Sequence, residues 1–123
     1  MIRTQGLAHI HLVVRDLERS LAFYTDVFGM NEQFRVGPCM VFLSTPGRSD
    51  LITLNQDPGE AHLAGMHGGV NHFGFRLSPP ADFDAAVRDV ESAGGKLLSR
   101  GEHGPGVPFA YVADPDGYVI ELM

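Results

Sequence analysis

Two stretches of the chain alternate between apolar and mixed positions, and each is followed by a helical pattern. In residues 7–14 the apolar face carries Ala8, Ile10, Leu12 and Val14, and the mixed face carries Leu7, His9, His11 and Val13. This alternation predicts a half-buried strand. Asp16 then suits a helix N-cap, apolar residues recur at helical spacing as far as Phe28, and Gly29 suits a left-handed C-cap.

Three short strands are predicted to complete this first pattern. They lie near residues 33–36, 39–45 and 50–55, separated by Gly37-Pro38 and Pro46-Gly47. The next stretch, residues 56–69, is polar and rich in Gly and Pro, which is typical of a linker.

The same order of patterns restarts after the linker. Its parts are a strand over 70–77, a helix opened by Ser78-Pro79-Pro80 and ended at Gly94-Gly95, and strands near 96–99, 108–113 and 118–122. We therefore predict an α+β fold of two tandem βαβββ modules, about 6–55 and about 70–123, forming one cupped mixed sheet in a single domain, residues 1–123. An ordinary α+β sandwich with chance similarity between its halves is the alternative.

The closing hairpin has the best-specified local geometry. Asp114-Pro115-Asp116-Gly117 suits a type I turn closed by a left-handed glycine. If Asp114 pairs with Tyr118, Tyr111 lies opposite Glu121 on one face of the sheet. Glu121 is the unusual residue in its strand, because burying a carboxylate among apolar neighbours is costly without a partner.

Three residues that could bind a metal lie on the faces opposite their strands' apolar rows: His9, His72 and Glu121. Taken singly, a strand histidine is usually a hydrogen-bonded wall residue, and a strand glutamate usually points to water. Taken together, two imidazoles and a carboxylate suit Fe(II) or another divalent ion that keeps open coordination positions.

Composition excludes several other functions. The 123 residues carry a net charge of −6, which argues against a nucleic-acid partner. No apolar run is long enough to span a membrane, and residues 1–5 lack the apolar stretch of a signal peptide, which favours the cytoplasm. The single cysteine, Cys39, excludes an internal disulfide framework and is expected to be a small buried hydrophobe in a strand.

Two segments resemble the signatures of the vicinal oxygen chelate superfamily. The opening signature is similar to HIHLVVRDLERSLAFY, residues 9–24, followed by Phe28-Gly29, and the closing one is similar to DPDGYVIEL, residues 114–122. The superfamily includes glyoxalase I, bleomycin-resistance proteins, fosfomycin-resistance thiol transferases and extradiol dioxygenases. The resemblance spans nearly the whole chain and implies the paired βαβββ fold.

The resemblance also implies a ligand set and an assembly. The metal ligands would be His9, His72 and Glu121. His9 is favoured over His11 because the family ligand lies seven residues before the Asp that opens the helix, so His11 would support the ligands or line the pocket. The expected ion is Fe2+ or Mn2+, with Zn2+ or Ni2+ also compatible. The family further implies a small-molecule substrate and a homodimer, often with halves of two chains sharing each site.

The resemblance also bears on the reaction. Glyoxalase I places a fourth ligand, usually Glu, where the internal repeat puts Thr53, so glyoxalase activity is disfavoured and Thr53 becomes a pocket candidate. Three ligands instead resemble the dioxygenase and fosfomycin branches, and both carry a tyrosine where Tyr111 stands. Extradiol dioxygenases place an acid/base histidine near His103, in the glycine-rich loop over residues 101–106.

We therefore expect a metal-dependent, dioxygenase-like oxidoreductase in which Tyr111 binds a substrate oxygen and His103 moves a proton. One alternative is a thiol transferase, or a lyase or epimerase, on the same metal. A fosfomycin-type anion site would have only Lys96, Ser99 and Arg100 to use. The other alternative is a metal-free drug-binding module. The two remaining histidines, His62 and His67, are expected to face solvent in the linker.

Overall fold

The same order of strands and helix occurs twice along the chain. The computed structural model describes all residues, 1–123. The first half contains β1 (Ile10–Val14), α1 (Leu17–Phe28), β2 (Asn31–Val36), β3 (Met40–Ser44) and β4 (Ile52–Gln56). The second half contains β5 (Phe73–Phe75), α2 (Phe83–Ser92), β6 (Lys96–Gly104), β7 (Val107–Ala113) and β8 (Val119–Leu122). A single 3-10 turn, Ala61–Leu63, lies between the halves.

The predicted α+β fold of two tandem βαβββ modules is confirmed. Hydrogen bonding groups the strands into two four-stranded sheets, ordered β1-β4-β3-β2 and β5-β8-β7-β6. Each sheet is mixed, because its first strand pairs in parallel with its last and the other pairs are antiparallel. The chain divides into two compact units, Met1–Ala61 and His62–Met123. Their union in a single domain stays a prediction.

Both ends of α1 are set by the residues that the sequence pattern indicates. The Asp16 carboxylate accepts a hydrogen bond from the Arg19 backbone N–H at 3.0 Å, which satisfies one of the free amides of the first turn. Gly29 follows the helix with φ 64°, and its N–H donates to the Thr25 carbonyl at 3.0 Å. A residue with a Cβ is disfavoured at that φ, so the helix ends there.

The core of the first unit lies between α1 and one face of its sheet. Alternate strand residues are at most 5% exposed on this face: Leu12, Val14, Val41, Leu43, Ile52 and Leu54. From the helix, Leu17, Phe23 and Tyr24 are also buried, and the Phe23 and Tyr24 rings meet edge to face at 5.3 Å. The opposite face of the sheet is therefore the one that carries His11 and Thr53.

Helix α2 begins later than the sequence predicts. Its N-cap is Asp82, whose carboxylate accepts from the Ala85 N–H at 2.9 Å, and not the Ser78-Pro79-Pro80 segment. An Asp at the N-cap satisfies a first-turn amide directly, so it overrides the proline signal. From α2, Phe83, Val87 and Val90 pack towards β6 and β7.

Two strands of the second unit differ in length from the prediction. β5 covers only Phe73–Phe75, and its pairs with β8 run from Phe73↔Ile120 to Phe75↔Leu122. β6 instead extends to Gly104, because its pairing with β7 continues to Gly104↔Val107. The predicted glycine-rich loop over 101–106 is therefore mostly strand.

The closing hairpin has the predicted register. Tyr111 pairs with Glu121, and the Asp114 N–H donates to the Tyr118 carbonyl at 3.0 Å. Gly117 has φ 101°, as a left-handed turn residue requires. One oxygen of the buried Asp114 carboxylate accepts from the N–H groups of residues 116, 117 and 118, at 2.9 to 3.0 Å. These three hydrogen bonds to a buried carboxylate therefore stabilise the turn that precedes Glu121.

Cys39 differs from its prediction. It is exposed and lies in the turn that precedes β3, not buried in a strand. The strand begins only at Met40, because the chain is still turning after Gly37-Pro38. Neither helix is both long and apolar enough to cross a membrane.

Candidate functional site

The centre of the second sheet contains a buried carboxylate. Glu121 is 6% exposed and lies on β8, between β5 and β7. Its strand neighbours Val119, Ile120 and Leu122 are buried in the core. Removing a carboxylate from water costs several kcal/mol unless partners compensate, so the partners of Glu121 define the site.

Two imidazoles meet this carboxylate, one at each oxygen. His103 Nε2 lies 2.5 Å from Glu121 Oε1, and His72 Nε2 lies 3.3 Å from Glu121 Oε2. An ionised carboxylate only accepts hydrogen bonds, so the short contact requires the His103 Nε2–H to donate. The structure therefore brings together three of the predicted site residues: His72, His103 and Glu121.

The orientation of the His72 ring is set by the residue before it. His72 Nδ1 lies 2.6 Å from Asn71 Oδ1, while Asn71 Nδ2 donates to the Met66 carbonyl at 3.5 Å. Because an amide oxygen only accepts, the His72 proton sits on Nδ1. In the neutral ring, Nε2 then presents a lone pair to Glu121 Oε2.

This arrangement suits a cation. Two acceptors, His72 Nε2 and Glu121 Oε2, face each other, and a proton or a metal ion between them relieves their repulsion. A ligating histidine typically donates its other ring N–H to an oxygen, as His72 does to Asn71. The donor chemistry of the pair therefore fits a divalent ion.

Tyr111 borders the same carboxylate. It lies on β7 opposite Glu121, so both side chains are on one face. Its ring meets His72 edge to face at 5.0 Å and Phe109 at 5.3 Å. The side-chain placement agrees with the prediction, and its part in substrate binding stays a prediction.

His103 lies in β6 and not in a loop. The pairing between β6 and β7 shifts between Glu102 and Gly104, which leaves His103 as the extra residue of a β-bulge. Its ring stacks on Phe109, with centroids 4.3 Å apart and planes 20° from parallel.

Sequence reasoning missed two residues of this site, Phe109 and Asn71. The signal for Phe109 was available, because it is two residues before Tyr111 in the same strand and so shares its face. Asn71 had no periodicity signal, since it lies before the short strand β5 and acts through a side-chain contact to its neighbour.

The remaining predicted pocket residues lie in the first unit. His9 is exposed and immediately precedes β1. His11 pairs in register with Thr53, which is completely buried and whose Oγ1 has no hydrogen-bond partner. His11 and Thr53 therefore share one face of the first sheet, as the repeat predicts.

The strand registers also show which positions in the two sheets are equivalent. In the first sheet, Thr53 lies between His11 and Phe42. In the second sheet, Glu121 lies between Gly74 and Tyr111. His9 precedes His11 by two residues, just as His72 precedes Gly74, so His9 and His72 hold equivalent positions in their repeats.

The third predicted metal ligand, His9, belongs to the other unit. No group of three or more His, Cys, Asp or Glu side chains is placed so that it could hold a metal ion. His72 and Glu121 belong to the second unit and His9 to the first, so the ligand set His9, His72 and Glu121 stays a prediction. His62 and His67 are exposed.

Comparisons with known proteins agree with this fold. A sequence model of the Glyoxalase/Bleomycin resistance protein/Dioxygenase superfamily matches residues 6–122. The chain is 34% identical to a probable lactoylglutathione lyase from Vibrio cholerae, over 95% of this chain and 88% of that protein. It is 30% identical to a lactoylglutathione lyase from Salmonella typhimurium, over 95% and 90%. The structure of a variant of the fosfomycin resistance protein FosX from Listeria monocytogenes, complexed with Mn(II), matches this chain with a TM-score of 0.76. The match covers 98% of this chain and 90% of that chain at 22% identity, which shows a shared fold.

These relatives correct one prediction. The expectation of a dioxygenase-like oxidoreductase, with glyoxalase I disfavoured, is wrong, because these two relatives, at 30% and 34% identity, are named lactoylglutathione lyase and probable lactoylglutathione lyase, and that enzyme is a lyase. Thr53 in place of a fourth ligand is a difference at one position, which weighs less than similarity along 95% of the chain.

Proposed function

The chain belongs to the Glyoxalase/Bleomycin resistance protein/Dioxygenase superfamily, also called the vicinal oxygen chelate superfamily, and we propose that it is a metal-dependent lyase or epimerase acting on a small substrate with two neighbouring oxygens. The observation that carries the proposal is the buried Glu121 carboxylate between His72 Nε2 and His103 Nε2. The lactoylglutathione lyase relatives support the reaction class.

The proposed metal ligands are His72, Glu121 and His9. The first two are supported by the contact of 3.3 Å between Nε2 and Oε2. His9 is proposed from the family signature and from its equivalence to His72 within the repeat. Fe2+ or Mn2+ is favoured, and Zn2+ or Ni2+ also accepts these donors. When bound, the ion acts as a Lewis acid that polarises the substrate's oxygens.

His103 and Glu121 form the proposed proton-transfer pair. Their 2.5 Å contact is a hydrogen bond from His103 Nε2–H to Glu121 Oε1. In the neutral His103 ring Nδ1 is then unprotonated, and it can take a proton from a carbon beside a carbonyl and return it to a neighbouring atom, so the reaction needs no external oxidant. Positioning both groups before the substrate arrives lowers the entropic cost of the transfer.

Tyr111 is proposed to orient the substrate. Its side chain lies on the same face as Glu121 and against the His72 ring. A phenolic O–H in this position can donate to a substrate oxygen. The neighbouring aromatic side chain, Phe109, adds an apolar wall beside Tyr111 and His103.

The thiol-transferase alternative finds less support. Its anion site would rely on Lys96, Ser99 and Arg100, but Arg100 Nη1 already pairs with Asp84 Oδ1 at 2.6 Å. No observation favours a metal-free drug-binding module, since the pairing of His72 with Glu121 suits a cation. We therefore retain the lyase or epimerase. We also propose that the protein works in the cytoplasm and that it is a homodimer. Light scattering on the purified protein tests the homodimer.

The experiment is turnover of lactoylglutathione, the compound in the relatives' name, by protein loaded with Mn2+, followed by chromatography. We expect turnover that chelation abolishes and that His72→Ala lowers by about 100-fold or more. The matched control is His67→Ala, an exposed histidine of the same unit that is outside the site. Turnover that survives both chelation and His72→Ala contradicts the proposal.

A further inference from the structure

His103 is half-exposed, yet its ring is held in one place. Its side chain is 48% exposed, and two contacts orient it: the 2.5 Å hydrogen bond to Glu121 and the stack on Phe109 at 4.3 Å. An exposed imidazole otherwise samples several rotamers, so some feature of the strand must limit that freedom. The features nearest to it lie in β6 and β7.

The first feature is the β-bulge. Because pairing shifts between Glu102 and Gly104, His103 is the extra residue of its strand. Gly101 pairs with Phe109, so alternation along β6 places His103 on the face of Phe109 and Glu121, and the bulge changes the direction in which its side chain leaves that face. On this face the His103 ring stacks on Phe109 and contacts Glu121.

The second feature is a glycine beneath the aromatic ring. Gly101 pairs with Phe109 across the two strands. A Cβ added at Gly101 would lie 3.3 Å from both Cε1 and Cζ of Phe109, which is tighter than ordinary contact. The absence of a side chain at Gly101 therefore lets the Phe109 ring lie close to β6, where it stacks on His103.

We propose that Phe109 is a positioning residue, and that Gly101, Phe109 and the bulge together aim His103 Nε2 at Glu121 Oε1. The inference rests on the proposed function for its catalytic consequence, because it assumes that the pair transfers a proton. Its structural part, the placement of the His103 ring by Phe109, does not depend on any reaction.

The test uses three variants of the full chain. Phe109→Leu removes the stacked ring and keeps an apolar side chain. Gly101→Ala adds one methyl group against Cε1 and Cζ. Gly104→Ala is the matched control, because a Cβ at this glycine of the same strand meets nothing within 4 Å.

The structural readout is the proton NMR signal of the His103 ring in protein free of metal and substrate. A stacked aromatic ring shields these protons, so Phe109→Leu is expected to move their signals downfield and broaden them. Gly101→Ala is expected to shift them in part, and Gly104→Ala to leave them unchanged. Unchanged His103 signals in folded Phe109→Leu and Gly101→Ala proteins would overturn the proposal.

The catalytic readout is the separation of kcat from KM in metal-loaded protein. Phe109→Leu and Gly101→Ala are each expected to lower kcat by about ten- to hundredfold with little change in KM. The reason is that proton transfer slows when the transferring group is misplaced by a fraction of an ångström. In the Phe109→Leu background, Gly101→Ala should lower kcat little further, because the ring that it displaces is gone.

Equal kcat in Phe109→Leu and wild type would also overturn the proposal. If wild type shows no turnover, the proposed function fails, and the NMR comparison still decides the positioning.

Discussion

At the scale of single residues, the site is organised around one buried carboxylate. Glu121 is 6% exposed, and each of its oxygens meets an imidazole. Alternation along the strands was sufficient to predict that His72, Tyr111 and Glu121 oppose the core face. The contact of His103 with Glu121 was not predicted, because the glycine-rich segment was expected to be a loop. Since that segment is a strand, alternation from Gly101 puts His103 on the face of Glu121.

Asn71 gives a prediction about the His72 ring. Replacing it with Leu removes the acceptor for Nδ1–H, so the ring loses its fixed tautomer and orientation. We expect divalent metal affinity to fall by about 10- to 100-fold, measured by titration calorimetry. Asn71→Asp, which keeps an acceptor oxygen, should retain the affinity. Equal loss in both variants would mean that the hydrogen bond is not the cause.

Thr53 gives a prediction about stability. Its Oγ1 is buried without a hydrogen-bond partner, so the folded state bears the desolvation cost of the hydroxyl. Thr53→Val replaces that hydroxyl with a methyl group of similar size and should raise the free energy of unfolding by about 1 kcal/mol. Chemical denaturation measures it, with Thr53→Ser as the control that keeps the hydroxyl. A loss of stability in Thr53→Val would contradict the prediction.

At the scale of elements, caps and turns that depend on residues close in sequence were predicted correctly. The start of one helix and the length of one strand were not. The Asp16 and Gly29 caps and the Asp114 turn are fixed by contacts within a few residues, so the sequence is enough to place them. The start of α2 and the length of β6 depend on competing caps and on pairing with β7, and both differed from expectation. Strand length depends on the partner strand, which local patterns do not reveal.

The closing turn gives a prediction at this scale. Asp114→Ala removes an oxygen that accepts three backbone N–H groups, so the free energy of unfolding should fall by about 2–4 kcal/mol. Chemical denaturation measures the loss, and Asp114→Asn, which keeps one amide oxygen, should lose less. If Asp114→Ala were as stable as Asp114→Asn, these hydrogen bonds would not be what holds the turn.

The ion pair between α2 and β6 gives a prediction about pH. The hydrogen bond from Arg100 lowers the pKa of Asp84 below its ordinary value. A carboxyl whose folded pKa is lowered stabilises the fold above its unfolded pKa, and this contribution is lost as the pH falls through the folded pKa. Arg100→Gln should therefore raise the pKa of Asp84, followed by carboxyl NMR titration. An unchanged pKa would show that the pair does not persist in solution.

At the scale of the whole molecule, the tandem repeat explains where the chemistry lies. Both units have the same strand order, and the registers put Thr53 and Glu121 at equivalent positions. The sequence was sufficient to predict this repeat, because each half restarts the same pattern. It was not sufficient to predict the reaction, because the two signatures are shared by enzymes with different chemistry.

The central claim, that His72 and Glu121 hold a divalent ion, is tested most directly by titrating metal-free protein with Mn2+ in a calorimeter. We predict saturable binding of about one ion per chain, weakened by about 100-fold or more in His72→Ala and Glu121→Gln, and unchanged in His67→Ala. His9→Ala should weaken binding as well if the proposed third ligand is correct. Binding of equal affinity in wild type, His72→Ala and Glu121→Gln would contradict the account.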